Sequence, residues 1–173
     1  MPLLPSASLA ATSLPEEARQ GTMTLSTSPT ADPIPQSAYK KLPSGLVYAD
    51  IRKGSGPPAK SGSRVNMQWV LRKSNGYFVD SSETSGGVPF IFKVGSGDAI
   101  PCVSEGVEGM SAGGTRRLIC PLDLAYVDGL EDGKPGPLPV GFGPRQQMRR
   151  VMGVRRNVPG EYLFLEVAVT RVQ

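Results

Sequence analysis

Asp80-Ser81-Ser82 sets a carboxylate beside two hydroxyls, and Ala125-Tyr126 sets a phenol in a stretch without strand or helix periodicity. A serine nucleophile needs a neighbouring base, and Asp80-Ser81-Ser82 has none nearby. The chain contains no histidine at all, which removes a His-based catalytic triad, an imidazole metal site and a neutral-pH imidazole switch together. Gly95-Ser96-Gly97 lacks the third glycine and the long helix of a dinucleotide site. Cys102 and Cys120 are the only thiols, too few for a thiolate zinc site and not spaced as Cys-x-x-Cys. They read as two buried small hydrophobes; the alternative is a disulfide, which would imply an oxidising compartment. What remains is chemistry by binding. Asp80 can close its own turn through Ser81 and Ser82 or stand as a polar group in a wall, and a tyrosine in a loop has little structural reason to be there.

The elements that must position these groups follow from periodicity. Leu46 to Ile51 is predicted as a first strand, closed by the turn cluster Gly54-Ser55-Gly56-Pro57-Pro58. Val65, Met67, Trp69 and Leu71 alternate with more polar neighbours, the period of a strand with one face in a core. Ser74-Asn75-Gly76 supplies a tight reversal, and Tyr77 to Asp80 resumes the sheet. Phe90 to Val94 is the next strand. Pro101 opens a helix of about two turns, limited by Gly106 and Gly109. Thr115 to Pro121 and Tyr162 to Val172 are the last strands, the latter with Leu163, Leu165, Val167 and Val169 on one face. The expected class is α+β: an antiparallel sheet curled around one short helix.

Read in order, Asp80-Ser81-Ser82, Pro89-Phe90-Ile91-Phe92-x-Val94-Gly95, Ala99-Ile100, Glu105-Gly106-Val107-x-Gly109-Met110, Pro121 and Ala125-Tyr126 resemble the core signature of the FKBP-type peptidyl-prolyl cis-trans isomerases. The resemblance runs from Leu42 to Val172 with one interruption. It implies no cofactor and no metal. It implies proline-containing protein clients, with Asp80, Ile100 and Tyr126 as the catalytic set. Trp69, Phe90, Ala99, Ile100, Val103, Tyr126 and Leu165 would contact substrate, the Ile100 N–H and the Tyr126 hydroxyl binding its carbonyls. Rotation about an X–Pro amide breaks its resonance against a barrier of about 18–20 kcal/mol. A dry apolar pocket favours the twisted state, and lowering the barrier by roughly 5 kcal/mol speeds the step a few thousand-fold. Phe90, Phe92 and Ile100 would also be expected in the core of any such sheet.

Several positions depart from the family pattern. Val79 stands where an aromatic residue usually precedes the Asp, with Phe78 displaced to the other face; Val103 replaces an aromatic floor, Leu165 a wall aromatic, and Trp69 a tyrosine. The Ile-Pro-Pro roof after Tyr126 is replaced by an insertion, residues 127–160. It carries Gly136-Pro137-Leu138-Pro139, then a helix from Pro144 with Met148, Val151 and Met152 on one face. Arg145, Arg149, Arg150, Arg155 and Arg156 are expected to bind a partner, an acidic protein surface or anionic lipid, or else to line a solvated face clamped over the domain. Nucleic acid is not expected, because the arginines lack interleaved aromatics.

With 173 residues, 39% of them hydrophobic, the chain supports one domain and an appended segment. Residues 42–173 form the domain. Residues 1–41, rich in Ser, Thr, Ala and Pro, read as an extended or disordered tail, either a targeting remnant or a docking arm. No stretch has the length of a transmembrane helix. The Gly-Pro-x-Pro insertion resembles that of divergent plastid FKBPs, which implies a chloroplast location in the thylakoid lumen; the alternative is the cytoplasm. Two functions stay open: a prolyl isomerase and folding factor, its activity weakened by the thinner lining, or a binding module that docks through tail and insertion in a larger, photosynthetic-membrane complex as an assembly factor.

Overall fold

The alternation of apolar residues from Val65 to Leu71 builds the central strand of a seven-stranded sheet, β3 (Arg64–Lys73), whose inward positions are all buried. The computed structural model describes residues 34–173, so most of the segment 1–41 lies outside the described residues. Six further strands are β1 (Lys40–Lys41), β2 (Val47–Arg52), β4 (Phe78–Ser81), β5 (Phe90–Lys93), β6 (Thr115–Pro121) and β7 (Tyr162–Val172). They run in the order β1-β2-β6-β7-β3-β4, all antiparallel, with β5 pairing the other end of β3 beside β4. Strands β6 and β7 have the bounds that their alternation predicts, and the first predicted strand starts one residue later, at Val47. Lys40–Lys41, inside the segment read as tail, adds an edge strand to β2.

Helix α1 (Pro101–Gly106) lies in the concavity of this sheet, started by Pro101 at its first position. Its approach to β6 is close: a Cβ on Gly106 would stand 2.7 Å from both methyls of Leu118. The core joins Cys102, Val103 and Val107 from the helix segment to Met67, Leu71, Leu118, Leu163, Leu165, Val167 and Val169 from the sheet. The opposite face of the sheet carries a fully buried ion pair across the β6–β7 ladder, Arg117 donating from Nε and Nη2 to one oxygen of Glu166 at 3.0 and 2.6 Å. Arg117 also donates to the hydroxyl of Tyr39, which ties the segment before β1 to that face.

Two features of the insertion bear on the site. Helix α2 (Phe142–Arg150) begins two residues before Pro144 and continues into a π-helical turn, Val151–Arg155. Met148 is fully buried, and Val151 and Met152 pack against the same core as α1. The apolar stripe therefore faces its own domain.

The expectation of two unlinked thiols is corrected: Cys102 and Cys120 form a disulfide between α1 and β6, their Cα atoms 5.8 Å apart. The cause is tertiary, since the close packing of Gly106 on Leu118 brings α1 within bridging distance of β6. A thiol assay on the protein unfolded in urea without reductant should find neither sulfur free. Reduction, or the double change Cys102→Ser/Cys120→Ser, should lower unfolding stability by about 3 kcal/mol, the loop-closure value for such a spacing; a free thiol in the unreduced protein would contradict the bond.

Candidate functional site

Ile100 stands at the N-cap of α1 with extended backbone (φ −59°, ψ 149°), so its own N–H lies outside the helical ladder and needs a partner elsewhere. It finds the carbonyl of Gly136, in the insertion, at 2.9 Å. The Gly136 N–H in turn donates to the Asp98 carbonyl at 3.0 Å, and Ala99 and Gly136 form a parallel bridge. One residue on, the carbonyl of Pro137 accepts a 2.6 Å hydrogen bond from the Tyr126 hydroxyl. The two donors thus hold the two carbonyls that flank one proline ring.

Asp80 closes the far end. At the end of β4, its Oδ1 accepts from the Ser81 N–H, the Thr84 hydroxyl and the Ser85 hydroxyl, so it does shape the turn that follows. Its Oδ2 accepts from Ser85 and, at 2.7 Å, from the Val140 N–H. The carboxylate therefore closes its own turn, through Ser81, Thr84 and Ser85, while the Ser82 hydroxyl turns instead to the Trp69 backbone, and it also reaches the insertion. From the insertion side, Arg145 Nε donates to the Pro139 carbonyl at 2.8 Å while its Nη2 pairs with Asp132 at 2.6 Å.

Residues Gly136 to Val140 consequently form a strap held by Asp98, Ile100, Tyr126, Asp80 and Arg145. Gly136, Pro137 and Pro139 are buried, and Leu138 packs against the main core. Phe90, stacked on Phe92 with centroids 5.2 Å apart, presses on the strap: a Cβ at position 136 would meet its ring atoms at 2.7 and 3.0 Å. Trp69, Ala99, Val103 and Leu165 are buried members of the core cluster that also contains Ile100 and Tyr126. Val79 is buried while Phe78 points outward beneath the Arg72 guanidinium, 5.6 Å from its ring centroid. Burial, reinforced by the nearby Asp80 charge, pushes the Tyr126 phenol above its ordinary value, so it stays a donor at any physiological pH.

Among the arginines expected to bind a partner, Arg145 is committed to the strap, Arg155 pairs with Glu161 at 3.4 Å and Arg156 with Asp123 at 3.2 Å. Arg149 and Arg150 are exposed on α2 and make no ion pair among the described residues. Sequence reasoning missed Thr84, Ser85 and Arg145 as supporting groups, and it missed that the strap enters the site. Gly-Pro-x-Pro, a proline-rich run in a chain expected to bind prolines, was the available signal.

Residues 56–149 match the family model described as FKBP-type peptidyl-prolyl cis-trans isomerase. The chain belongs to that family. It is 36% identical over 136 residues to "Peptidyl-prolyl cis-trans isomerase FKBP19, chloroplastic" of Arabidopsis thaliana, covering 73% of this chain and 53% of that protein. It is 49% identical over 86 residues to "FK506-binding protein 4" of Mycosarcoma maydis, covering 50% of this chain and 22% of the relative. The structure resembles the crystal structure of FkpA from Escherichia coli with a TM-score of 0.55 at 25% identity, over 80% of this chain and 53% of that one. The chain thus spans between 22% and 53% of the length of these curated relatives.

Tyr126→Phe removes the hydroxyl that donates to the buried Pro137 carbonyl and should destabilise the fold by about 1–3 kcal/mol in urea unfolding. In alkaline titration followed at 295 nm, wild-type Tyr126 should ionise only as the protein unfolds. Its folded value is raised, so its contribution to stability is present below pH ~10 and is lost as pH rises beyond that. Ionisation of all tyrosines in the folded protein at pH ~10 would contradict the buried hydroxyl.

Proposed function

We propose that this chain is a peptidyl-prolyl cis-trans isomerase that acts as a folding factor on proline-containing protein segments. The observation that carries this reading is the pair of hydrogen bonds on either side of Pro137, from Ile100 N–H and from the Tyr126 hydroxyl. A prolyl residue has no N–H to offer, so a site that holds one must do so through the adjacent carbonyls and apolar contact with the ring. Both donors are buried, which excludes water from an amide placed between them. As that amide twists it loses resonance and polarity, and an apolar surround opposes the planar state more than the twisted one. Asp80 fixes the chain beyond the proline through an N–H, and no step needs a covalent intermediate.

The chloroplastic relatives support a chloroplast location, and the Cys102–Cys120 disulfide supports an oxidising compartment within it, such as the thylakoid lumen. If the basic insertion also docks on a partner in a larger complex, Arg149 and Arg150 are the arginines left to do so. A protease-coupled assay with a proline peptide should detect acceleration over the uncatalysed rate, reduced at least roughly tenfold in Tyr126→Phe and in Asp80→Val, the effect of losing one transition-state hydrogen bond. Turnover unchanged in both variants would remove these residues from the mechanism, and no acceleration by the wild type or by a variant with the strap released would remove the isomerase reading. Chlorophyll-coincident fluorescence of a full-length fusion, with protease protection of isolated thylakoids, tests the location; a cytoplasmic signal would refute it.

A further inference from the structure

We propose that residues Gly136 to Val140 are a tethered ligand of the proline site, so that the resting chain is closed and the clients it admits carry the same Gly-Pro-apolar-Pro pattern. The inference rests on the reading of this groove as a proline site, and it adds which segment fills it and what can replace that segment.

Three observations carry it. The strap takes both polar contacts that the family resemblance assigned to a substrate, the Ile100 N–H on the Gly136 carbonyl and the Tyr126 hydroxyl on the Pro137 carbonyl, and its Val140 N–H also engages the Asp80 carboxylate. A client cannot use them until the strap leaves. The strap is also held from outside the groove, by Arg145 on the Pro139 carbonyl and by Asp132 on Arg145, so it is anchored as a structural element of the insertion. Finally, the position before the proline is sterically restricted. Gly136 has no left-handed backbone angle that would call for glycine. A Cβ there would stand 2.7 Å from Phe90 Cε2, and the Phe90 ring is braced by stacking on the buried Phe92. A side chain at position 136 would have to displace the Phe90 ring, and the same wall meets any client segment that follows the same path. One residue beyond the proline, Leu138 packs against the core, so an apolar side chain fits there.

Tethering adds a high local concentration to these contacts, so only a segment with comparable complementarity, or one presented at high local concentration itself, displaces it. Phe90 thereby becomes a residue that determines specificity, while Arg145 positions the strap.

Two variants of the full chain test this. Gly136→Leu forces the strap off Phe90, and Arg145→Gln releases it from outside without touching the groove. Hydrogen exchange should show the Ile100 and Val140 amides opening at least roughly tenfold faster in both variants, with the β6 and β7 amides unchanged. The synthetic peptide of residues 134–140 should then bind both variants and bind the wild type weakly or not at all. The same peptide carrying Gly136→Ala should bind about tenfold more weakly, the usual effect of one crowded methyl group. If Gly136→Leu fails to fold, Arg145→Gln carries the test by the same readouts. Equal peptide affinity in wild type and variants overturns the closure, slow Ile100 exchange in a folded Gly136→Leu chain overturns the steric restriction, and equal binding of the alanine peptide overturns the client pattern. Each of these leaves the proline site standing. Fast exchange at both amides with no peptide bound and no proline-peptide turnover instead refutes the proline site itself.

Discussion

A proline offers no N–H, and that constraint organises this molecule. Whatever holds a prolyl segment here has to supply donors to its carbonyls from a dry wall. Ile100 provides one because Pro101 starts a helix directly after it, leaving the Ile100 N–H without a helical partner. Tyr126 provides the other from a loop, and its burial keeps the phenol protonated. The sheet and α1 set these two groups against successive carbonyls of one segment, those of Gly136 and Pro137. The curl of the sheet around α1 and the Cys102–Cys120 bond between α1 and β6 fix the Ile100 end.

The scaffold was legible in the sequence because its signals are local. An apolar residue at every second position defines β3, β6 and β7 whatever lies around them, and the inward faces named from Leu163 to Val169 are buried as alternation requires. The site was legible in part. Asp80, Ile100 and Tyr126 were identified through the ordered family signature, and the structure brings all three onto one short segment. The identity of that segment was not legible, because Gly136 and Ile100 are far apart in sequence and no local periodicity links them. The disulfide stood only as the alternative reading for the same reason, since Cα proximity is set by the packing of α1 on β6. The arginines of the insertion show a third limit. A run of like charges looks available for a partner, yet Arg145, Arg155 and Arg156 are satisfied by Asp132, Glu161 and Asp123 within the domain.

The thinner lining takes on a different meaning once the strap is in place. Val79, Val103 and Leu165, small where the family pattern is aromatic, would leave an open pocket loosely packed, and an underfilled apolar cavity costs stability. The insertion supplies apolar matter of its own, with Pro137 and Pro139 buried, Leu138 against the core, and Met148 fully buried in the same core. The small lining residues and the inserted segment therefore complement each other in filling one space. The pocket is filled from within, by a segment of chain that the proposal above allows to leave. The weakened catalysis expected from the lining alone should accordingly be sought first in occupancy of the site, because the Ile100 N–H, the Tyr126 hydroxyl and the Asp80 carboxylate are all engaged by the strap.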